Sequence, residues 1–386
     1  MSFRFTTAGE SHGPGLVTIV EGLPAGLELD REALDADMAR RQLGHGRGGR
    51  MKIETDTVEI RAGVRHGRTM GGPVAALVAN RDYKNWDERM NPWPIEGEIP
   101  PITLPRPGHA DLPGMWKYKH DDLRPILERA SARETAARVA AGAIARGFLT
   151  ALGVTVRSHV TSIGSIEAPE REALRIEDFE GVDEDPVRCL DPEASARMVE
   201  EINVIRKRNE SLGGTFEVIA FGLVPGLGSH ISWEDRLDGR LAQALCSIQA
   251  VKGASIGQAW DVAGRPGSAA HDEIFYSEER GFYRETNHAG GLEGGMTNGM
   301  PLSVRAAIKP ISTMTKPLRS VDVISKEPAK AHKERTDSVV VPAAAVVGEA
   351  MVCLTLARSY REKFGGDHID DVREAIDRYR ERIGWR

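Results

Sequence analysis

Near the N-terminus, apolar and polar residues alternate in a pattern that predicts two strands joined by a glycine-rich turn. The strands are expected at residues 3–7 and 16–21, with the turn at residues 9–15. A helix is expected over residues 30–42, with Asp30 as its N-cap and acidic residues in its first turn. Strands and helices that follow one another in this way indicate a mixed α/β protein.

The rest of the chain continues this mixture of periodicities. Further strands are expected at residues 52–61, 74–78 and 215–221, and further helices at residues 131–151, 235–249 and 343–364. Ser131 and Glu134 form a capping-box pattern at the start of the alanine-rich helix. The six prolines of residues 91–109 predict a long loop, and the charge-rich stretch 167–211 predicts a surface helical insertion. We expect one domain over residues 1–386 that ends in a helical tail at about 367–386.

Two short segments occur twice in the same order. Gly-Leu-Pro-Ala-Gly-Leu at 22–27 is similar to Gly-Leu-Val-Pro-Gly-Leu at 222–227, and Thr-Met-Gly-Gly-Pro-Val at 69–74 is similar to Thr-Asn-Gly-Met-Pro-Leu at 297–302. Chance could produce either match alone. A true duplication would give the fold a pseudo-twofold axis and a ligand crevice between the halves.

Composition narrows the class of protein. Three widely spaced cysteines exclude a disulfide framework, and the longest apolar stretch, residues 339–348, is too short to span a bilayer. The N-terminus lacks the apolar run of a signal peptide, so we expect a cytoplasmic protein without membrane attachment. A net charge of −6 and only 5% aromatic residues argue against a nucleic-acid partner. The 41 glycines cluster beside charged residues, which indicates backbone in close contact with a ligand.

Two familiar catalytic patterns occur but do not fit their context. Residues 9–13 match the Gly-x-Ser-x-Gly of hydrolases, yet Pro14 and a strand follow where a helix is needed. Residues 44–49 match Gly-x-Gly-x-x-Gly, but a helix precedes them where a dinucleotide site needs a strand. We therefore expect neither a serine hydrolase nor a Rossmann site.

Three cationic clusters in this acidic chain predict a site for a polyanionic small molecule. The clusters consist of Arg40, Arg41, Arg47, Arg50 and Lys52; of Arg129 and Arg133; and of Lys309, Lys316, Arg319 and Arg335. The first could instead be a solvated basic loop or an RNA contact, and the second could pair with neighbouring glutamates along its helix.

Three residues are candidates for acid–base chemistry. His12 and His109 lie in glycine- and proline-rich loops, and Asp337 precedes an apolar run where a buried, arginine-paired base could form. The histidine and cysteine spacings do not suggest a metal site.

The glycine-rich and arginine-rich segments together resemble the chorismate synthase family. The resemblance is carried by Gly-Glu-Ser-His-Gly-Pro-Gly at 9–15, Arg-Ala-Ser-Ala-Arg-Glu-Thr at 129–135 and Arg-Thr-Asp at 335–337. It extends to Arg-Gly-Gly-Arg-Met-Lys-Ile at 47–53, Arg-Pro-Gly-His-Ala-Asp at 106–111 and the glycine-rich stretch 290–299. The similarity covers about residues 3–366.

The resemblance implies a fold and a reaction. The fold is a β-α-β sandwich of the α+β type, with antiparallel sheets at the core and helices outside. The reaction is the anti-1,4-elimination of phosphate from 5-enolpyruvylshikimate 3-phosphate to give chorismate. It requires reduced FMN, and NADPH or an external flavin reductase would supply the reducing equivalents. A homotetramer is also implied.

The resemblance assigns roles residue by residue. His12 would be the general acid for the leaving phosphate, His109 would stabilise the anion of the reduced flavin, and Asp337 would accept the ring proton by way of the flavin. Arg41 and Arg47 match positions for NADP or another phosphate-bearing ligand, and Arg50 and Arg133 would bind substrate. The FMN contacts would be Arg129, Ala130, Ser131, Gln249, Ala250, Gly294, Lys309, Pro310, Ile311, Ser312, Thr313 and Arg335.

Two departures from the family pattern are visible, since Ala130 stands where serine is common and Gln249 where asparagine is common. Neither changes the charge of the site.

Two other functions remain as alternatives: a flavin reductase that uses the same FMN and NADPH features, and an RNA-binding protein that uses the cationic segment 40–52.

Overall fold

Two large antiparallel sheets carry the fold, and two helices lie between them. A computed structural model describes residues 3–48, 55–171, 173–334 and 337–385. The helices are α1 (Arg31–Gln42), α2 (Asp111–Tyr118), α3 (Arg124–Ala130), α4 (Thr135–Thr150), α5 (Pro192–Lys207), α6 (Leu237–Cys246), α7 (Ala259–Val262), α8 (Gly267–Ala270), α9 (Val341–Phe364) and α10 (Ile369–Ile383). The strands are β1 (Arg4–Ala8), β2 (Gly15–Glu21), β3 (Glu59–Ala62), β4 (Val64–Arg65), β5 (Arg68–Thr69), β6 (Val74–Ala79), β7 (Thr155–Ile163), β8 (Ile166–Glu167), β9 (Gly214–Phe221), β10 (Val251–Ile256), β11 (Phe275–Ser277), β12 (Gly281–Tyr283), β13 (Leu292–Glu293), β14 (Met296–Thr297), β15 (Leu302–Ile308), β16 (Arg319–Val321) and β17 (Pro328–Lys330).

The sheets follow directly from the alternation in the sequence. The first has the strand order β1-β2-β6-β3 and the second the order β10-β15-β9-β7-β8, with antiparallel pairing throughout. In β2, Leu16 and Val20 are buried against the helices, whereas Val17 and Ile19 face outward. One face of the first sheet is therefore covered by the core and the other remains exposed.

The antiparallel sheets and the mixed fold class are confirmed, but the expected position of the helices is wrong for the two longest core helices. Helix α4 packs on β2 and β6, α9 packs on β7 and β9, and the two helices pack on each other. A Cβ on Gly142 of α4 would lie only 2.5 Å from the Cα of Ala350 in α9, so glycine allows this close approach. Both helices are buried on nearly every side, and a helix apolar all round belongs in the interior.

The two halves of the chain repeat the same topology. The order β1-β2-α1-β3-β6-α4 in the first half corresponds to β7-β9-α6-β10-β15-α9 in the second. The repeated segments make the same bonds: Thr69 Oγ1 accepts from the Leu27 amide at 3.0 Å, and Thr297 Oγ1 accepts from the Leu227 amide at 2.8 Å. The pseudo-twofold arrangement suggested by the sequence repeat is thus present in both topology and local hydrogen bonding.

The start of the alanine-rich helix differs from the expectation. Residues Ala132–Glu134 form a 3-10 turn before α4, and Ser131 accepts a hydrogen bond from the Arg133 amide. The Glu134 side chain does not complete a capping box, because it accepts hydrogen bonds from Thr7 and Arg138 instead. A residue expected to serve only the helix therefore connects it to the first strand.

The insertion and the C-terminal tail both pack on the body of the protein. Within the insertion, Phe179 and Val182 cover Ile219 and Phe221 on the outer face of the second sheet. In the tail, α10 buries an apolar stripe, and Tyr379 donates a hydrogen bond to the Pro225 carbonyl at 2.9 Å.

Helix α9 is the one described helix that is long and apolar enough to cross a membrane. However, 94% of its most apolar window is buried inside the protein. Its composition is accounted for by its place between the sheet and α4.

Candidate active site

A cavity of about 440 Å³ lies between the two halves, and most of the site residues predicted from the sequence line it. The first half contributes the end of α1 and the turn before α4, and the second half contributes the segment before β10, the segment after β15 and the start of α9. The predicted residues that line it are Arg41, Arg47, His109, Ala130, Ser131, Arg133, Gln249, Ala250, Lys309, Ile311, Ser312, Thr313 and Asp337. The ligand crevice expected between the repeated halves is therefore present.

Several predicted residues lie elsewhere. The Arg129 guanidinium donates to the carbonyls of Thr7 and Gly9, outside the cavity. Gly294 lies in the exposed turn between β13 and β14, and Pro310 is not part of the cavity lining. Arg50 and Arg335 are outside the described residues.

Two buried arginines form a cationic wall of the cavity. Arg41 and Arg133 share the carboxylate of Asp56, with N–O distances of 2.5 and 2.7 Å. Burial alone would raise the pKa of Asp56, but the two guanidiniums outweigh it and lower that pKa; burial lowers the pKa of Arg41 to about 10. Both arginines line the cavity, and among the described residues they share this one carboxylate, so the wall presents guanidinium groups to a ligand.

A third arginine holds the candidate base. The Arg47 guanidinium lies 2.9 Å from one oxygen of Asp337, and the amide of Gly48 donates to the other at 2.5 Å. The arginine-paired carboxylate expected at Asp337 is therefore present, and it lines the cavity.

Other members of the predicted cationic clusters serve different purposes. Arg40 turns away from the cavity and binds the fully buried Glu349, which also receives Arg146 and Arg188. The Glu349 pKa is lowered because these arginines outweigh its burial. Among the third cluster's described residues, only Lys309 lines the cavity, whereas Lys316 and Arg319 are exposed. The expectation that Arg40 and the whole third cluster form the anion site is wrong.

His12 is held by a buried carboxylate beside the cavity. Its Nδ1 lies 2.9 Å from Oε1 of Glu128, and its backbone amide donates to Oε2 at 2.8 Å. The imidazole stacks on Trp86 with ring centroids 3.9 Å apart. His12 is not part of the cavity lining, but its neighbour Ser11 is, and Ser11 Oγ accepts a hydrogen bond from Ser131.

His109 lines the cavity and is held in a similar way. Its Nδ1 lies 2.5 Å from Oδ1 of Asp111, and Arg106 forms a salt bridge with the same carboxylate. Burial would raise the pKa of Asp111, but the hydrogen bonds from His109 and Arg106 outweigh it and lower that pKa. Arg106 also donates to Thr313 at 2.9 Å, which joins the histidine loop to the segment that follows β15.

The residues that support the two histidines are not evident from the sequence. Arg106 and Asp111 lie inside the motif at 106–111, but its spacing does not show that both side chains contact His109. The local sequence predicts arginine partners for Glu128, and Arg124 is one. Glu128 also contacts His12, which is 116 positions away along the chain.

Comparisons with known proteins show the family of the chain. The family model described as chorismate synthase matches residues 3–360. The chain belongs to the chorismate synthase family. It is 55% identical to the chorismate synthase of Symbiobacterium thermophilum over 99% of this chain and 100% of that protein. It is 57% identical to the chorismate synthase of Rubrobacter xylanophilus over 100% of this chain and 98% of that protein.

A solved chorismate synthase structure shares the fold. It superposes with a TM-score of 0.81 at 41% identity, over 99% of this chain and 98% of that one. The chain is accordingly an enzyme of the chorismate synthase family, whose activity is that of a carbon–oxygen lyase in aromatic biosynthesis.

Proposed function

We propose that this chain eliminates phosphate and a ring proton from 5-enolpyruvylshikimate 3-phosphate to give chorismate, with reduced FMN bound in the same cavity. The observation that carries the proposal is the composition of that cavity. Its lining includes two buried arginines and a set of apolar side chains. His109 lines the cavity and His12 lies beside it, and each is held by a buried carboxylate.

The cationic wall suits the charge of the substrate. The substrate carries one phosphate and two carboxylates, and Arg41, Arg133 and Arg47 offer guanidinium donors along one side of the cavity. Arginine binds such oxygens with paired hydrogen bonds. In a partly buried site these donors also stabilise the charge that develops on the departing phosphate.

The residues present fit a flavin. Val340, Ala344 and Val347 at the start of α9 form an apolar surface that suits a flat ring system. Gln249, Ala250 and residues 311–313 bring backbone and polar groups to the same cavity, and Lys309 adds its ammonium, as the phosphate and ribityl parts require. Reduced FMN, when bound, supplies electron density that eases cleavage of the carbon–oxygen bond.

The protein's own groups manage the protons. His12 donates a proton to the leaving phosphate, and Asp337 takes up the proton lost from the ring. Arg47 and the Gly48 amide hold the Asp337 carboxylate in the cavity. His109, fixed by Asp111, provides a positively charged or hydrogen-bonding group beside the flavin.

The same proposal includes the setting in which the enzyme works. We place it in the cytoplasm as a homotetramer, with NADPH as the source of reducing equivalents. In this proposal an external flavin reductase transfers those equivalents to FMN. The exposed Val17 and Ile19 on the outer face of the first sheet support burial against another subunit, because the insertion covers the corresponding face of the second sheet.

An anaerobic assay tests the function. Purified protein with substrate and chemically reduced FMN should release inorganic phosphate. With oxidised FMN and NADPH, release should require an added flavin reductase. Absence of phosphate release under both conditions would contradict the proposal, and NADPH oxidation without phosphate release would instead favour a flavin reductase.

A further inference from the structure

Glu128 is a buried acid whose position suggests a role beyond packing. It is 1% exposed, and both of its oxygens lie within 3.0 Å of Nδ1 of His12. It also accepts the backbone amide of His12 at 2.8 Å, so it fixes both the ring and the chain that carries it. Burial would raise the pKa of Glu128, but its bonds to His12 and Arg124 outweigh burial and lower that pKa.

Arg124 connects Glu128 to the cavity. Its Nη1 lies 3.0 Å from Oε1 of Glu128 and 3.1 Å from Oε1 of Glu334, which lines the cavity. Glu128 lies one turn after Arg124 on α3, so the helix itself sets their spacing. The ion pair keeps Glu128 charged and therefore available as an acceptor for the imidazole.

The other groups around His12 restrict the ring further. Trp86 stacks on it at an interplanar angle of 26°, and the Trp86 indole is held by a hydrogen bond of 3.3 Å to Asp82. Among the described residues, the charged groups near the imidazole are Glu128 and Arg124 on α3, Glu334 before α9, and Asp82 and Arg89 beside Trp86.

We propose that Glu128 is the positioning residue for His12: it keeps a proton on Nδ1 and supports the imidazolium, so that Nε2 delivers the proton to the leaving phosphate. A carboxylate at Nδ1 fixes the tautomer and orientation of a catalytic imidazole. In that step the Nε2–H bond breaks and an O–H bond forms on phosphate. The ring is left neutral, with its remaining proton on Nδ1 and donated in a hydrogen bond to the Glu128 carboxylate. This inference rests on the proposed function.

Kinetics of Glu128→Gln test the role, with Glu374→Gln on the exposed face of α10 as the matched control. We expect kcat to fall about 10- to 100-fold with KM changed by less than about threefold. The alkaline limb of the kcat profile should move to lower pH, because the carboxylate that favours the imidazolium is lost. Glu128→Asp, which keeps the charge, should recover part of kcat and of the profile. Wild-type kcat in Glu128→Gln, or a loss with an unchanged pH profile, would overturn the proposal.

A double-mutant cycle separates positioning from packing. If Glu128 acts through His12, Glu128→Gln should have almost no further effect on kcat in a His12→Asn background. Full additivity of the two losses would refute the positioning role. If Glu128→Gln does not fold, the same cycle run with Glu128→Asp gives the answer.

Nitrogen-15 NMR of the histidine rings supplies a readout that does not need turnover. In its neutral form the His12 ring of the wild type should carry its proton on Nδ1, whereas in Glu128→Gln the neutral ring should show a mixture of tautomers. A proton found on Nε2 alone in the neutral wild-type ring would overturn the inference. Lack of phosphate release by the wild type, together with the expected tautomer, would contradict the proposed reaction but leave the His12–Glu128 geometry intact.

Discussion

At the residue scale, the site depends on histidines whose orientation is fixed by buried acids. His12 and His109 are separated by about a quarter of the chain, yet each presents Nδ1 to a carboxylate that an arginine also holds. The loops that carry them could be singled out from their glycines and prolines. The partners could not, because a contact such as His12–Glu128 depends on how α3 packs and not on local spacing.

Replacement of either histidine should reduce turnover without loss of the fold. In His12→Asn and His109→Asn a side-chain amide can still donate to the carboxylate, so the buried acid keeps a partner. We expect kcat to fall about 10²- to 10⁴-fold in each, as for loss of an acid–base group. Phosphate release measures the effect, with the exposed His230→Asn as control. Turnover at the wild-type rate in both would remove the histidines from the mechanism.

The two arginines that share Asp56 predict that its replacement strongly lowers the stability of the protein. Asp56→Asn would leave Arg41 and Arg133, both nearly fully buried, without their shared anion. Removal of one partner from a buried ion pair costs about 3–5 kcal/mol. Denaturant unfolding should show this loss of stability, and high phosphate concentrations should restore part of it by binding to the two guanidiniums. Unchanged stability would contradict the account of this wall.

Glu217 predicts how stability depends on pH. Burial would raise its pKa, but the hydrogen bond from His159 outweighs burial and lowers the pKa from 4.5 to about 2. A lowered folded-state pKa stabilises the protein above the unfolded-state value, and this contribution disappears as the pH falls from about 4.5 toward 2. Across that range, we expect the free energy of unfolding of the wild type to fall by on the order of 2 kcal/mol more than that of Glu217→Gln. Unfolding curves at several pH values test this, and parallel pH dependences would contradict it.

At the scale of elements, hydrophobic periodicity predicts both the type and the exposed face of amphipathic segments. For fully buried segments it predicts the type but not the position in the fold. Strand β2 alternates and helix α1 has a clear N-cap, so both could be placed from the sequence. Helices α4 and α9 could be recognised as helices, but their place between the sheets depends on the contact of Gly142 with Ala350. Short helices such as α2 and α3 carry weak patterns and were not expected, although α3 carries Glu128.

The crossing of α4 and α9 gives a direct prediction. Gly142→Ala would place its Cβ 2.5 Å from the Ala350 Cα, so the helices must move apart. Overpacking of this kind costs about 1–3 kcal/mol. The matched control is Gly239→Ala in α6, where the nearest atom to the added Cβ is 4.0 Å away. The control variant should be as stable as the wild type or more stable by up to about 1 kcal/mol. Thermal unfolding compares the two, and equal stabilities would contradict the proposed packing.

At the scale of the whole molecule, the repeated topology explains why the cavity lies where it does. Each half supplies a four-strand unit and a core helix, and the cavity is lined from both sides of the junction. The short sequence repeats suggested this arrangement, but two hexapeptides could not show that the sheets also match strand for strand. That correspondence is a property of the topology, which tolerates extensive divergence in sequence.

The duplication predicts equal effects at equivalent positions. Thr69 and Thr297 each accept from an amide and donate to a carbonyl, at 2.6 Å for Pro24 and 2.7 Å for Val224. Thr69→Val and Thr297→Val each leave these buried backbone groups unsatisfied, which costs about 1–3 kcal/mol per group. Denaturant unfolding should give similar losses for the two variants. A loss of stability in only one of the two variants would show that the equivalent threonines do not contribute equally to the stability of the two halves.

The stoichiometry of a single anaerobic reaction tests the central claim most directly. Protein with reduced FMN and 5-enolpyruvylshikimate 3-phosphate should form one chorismate and one phosphate for each substrate consumed, while the flavin absorbance remains that of the reduced form. Consumption of reduced flavin in proportion to product, or failure to form phosphate and chorismate together, would contradict the account.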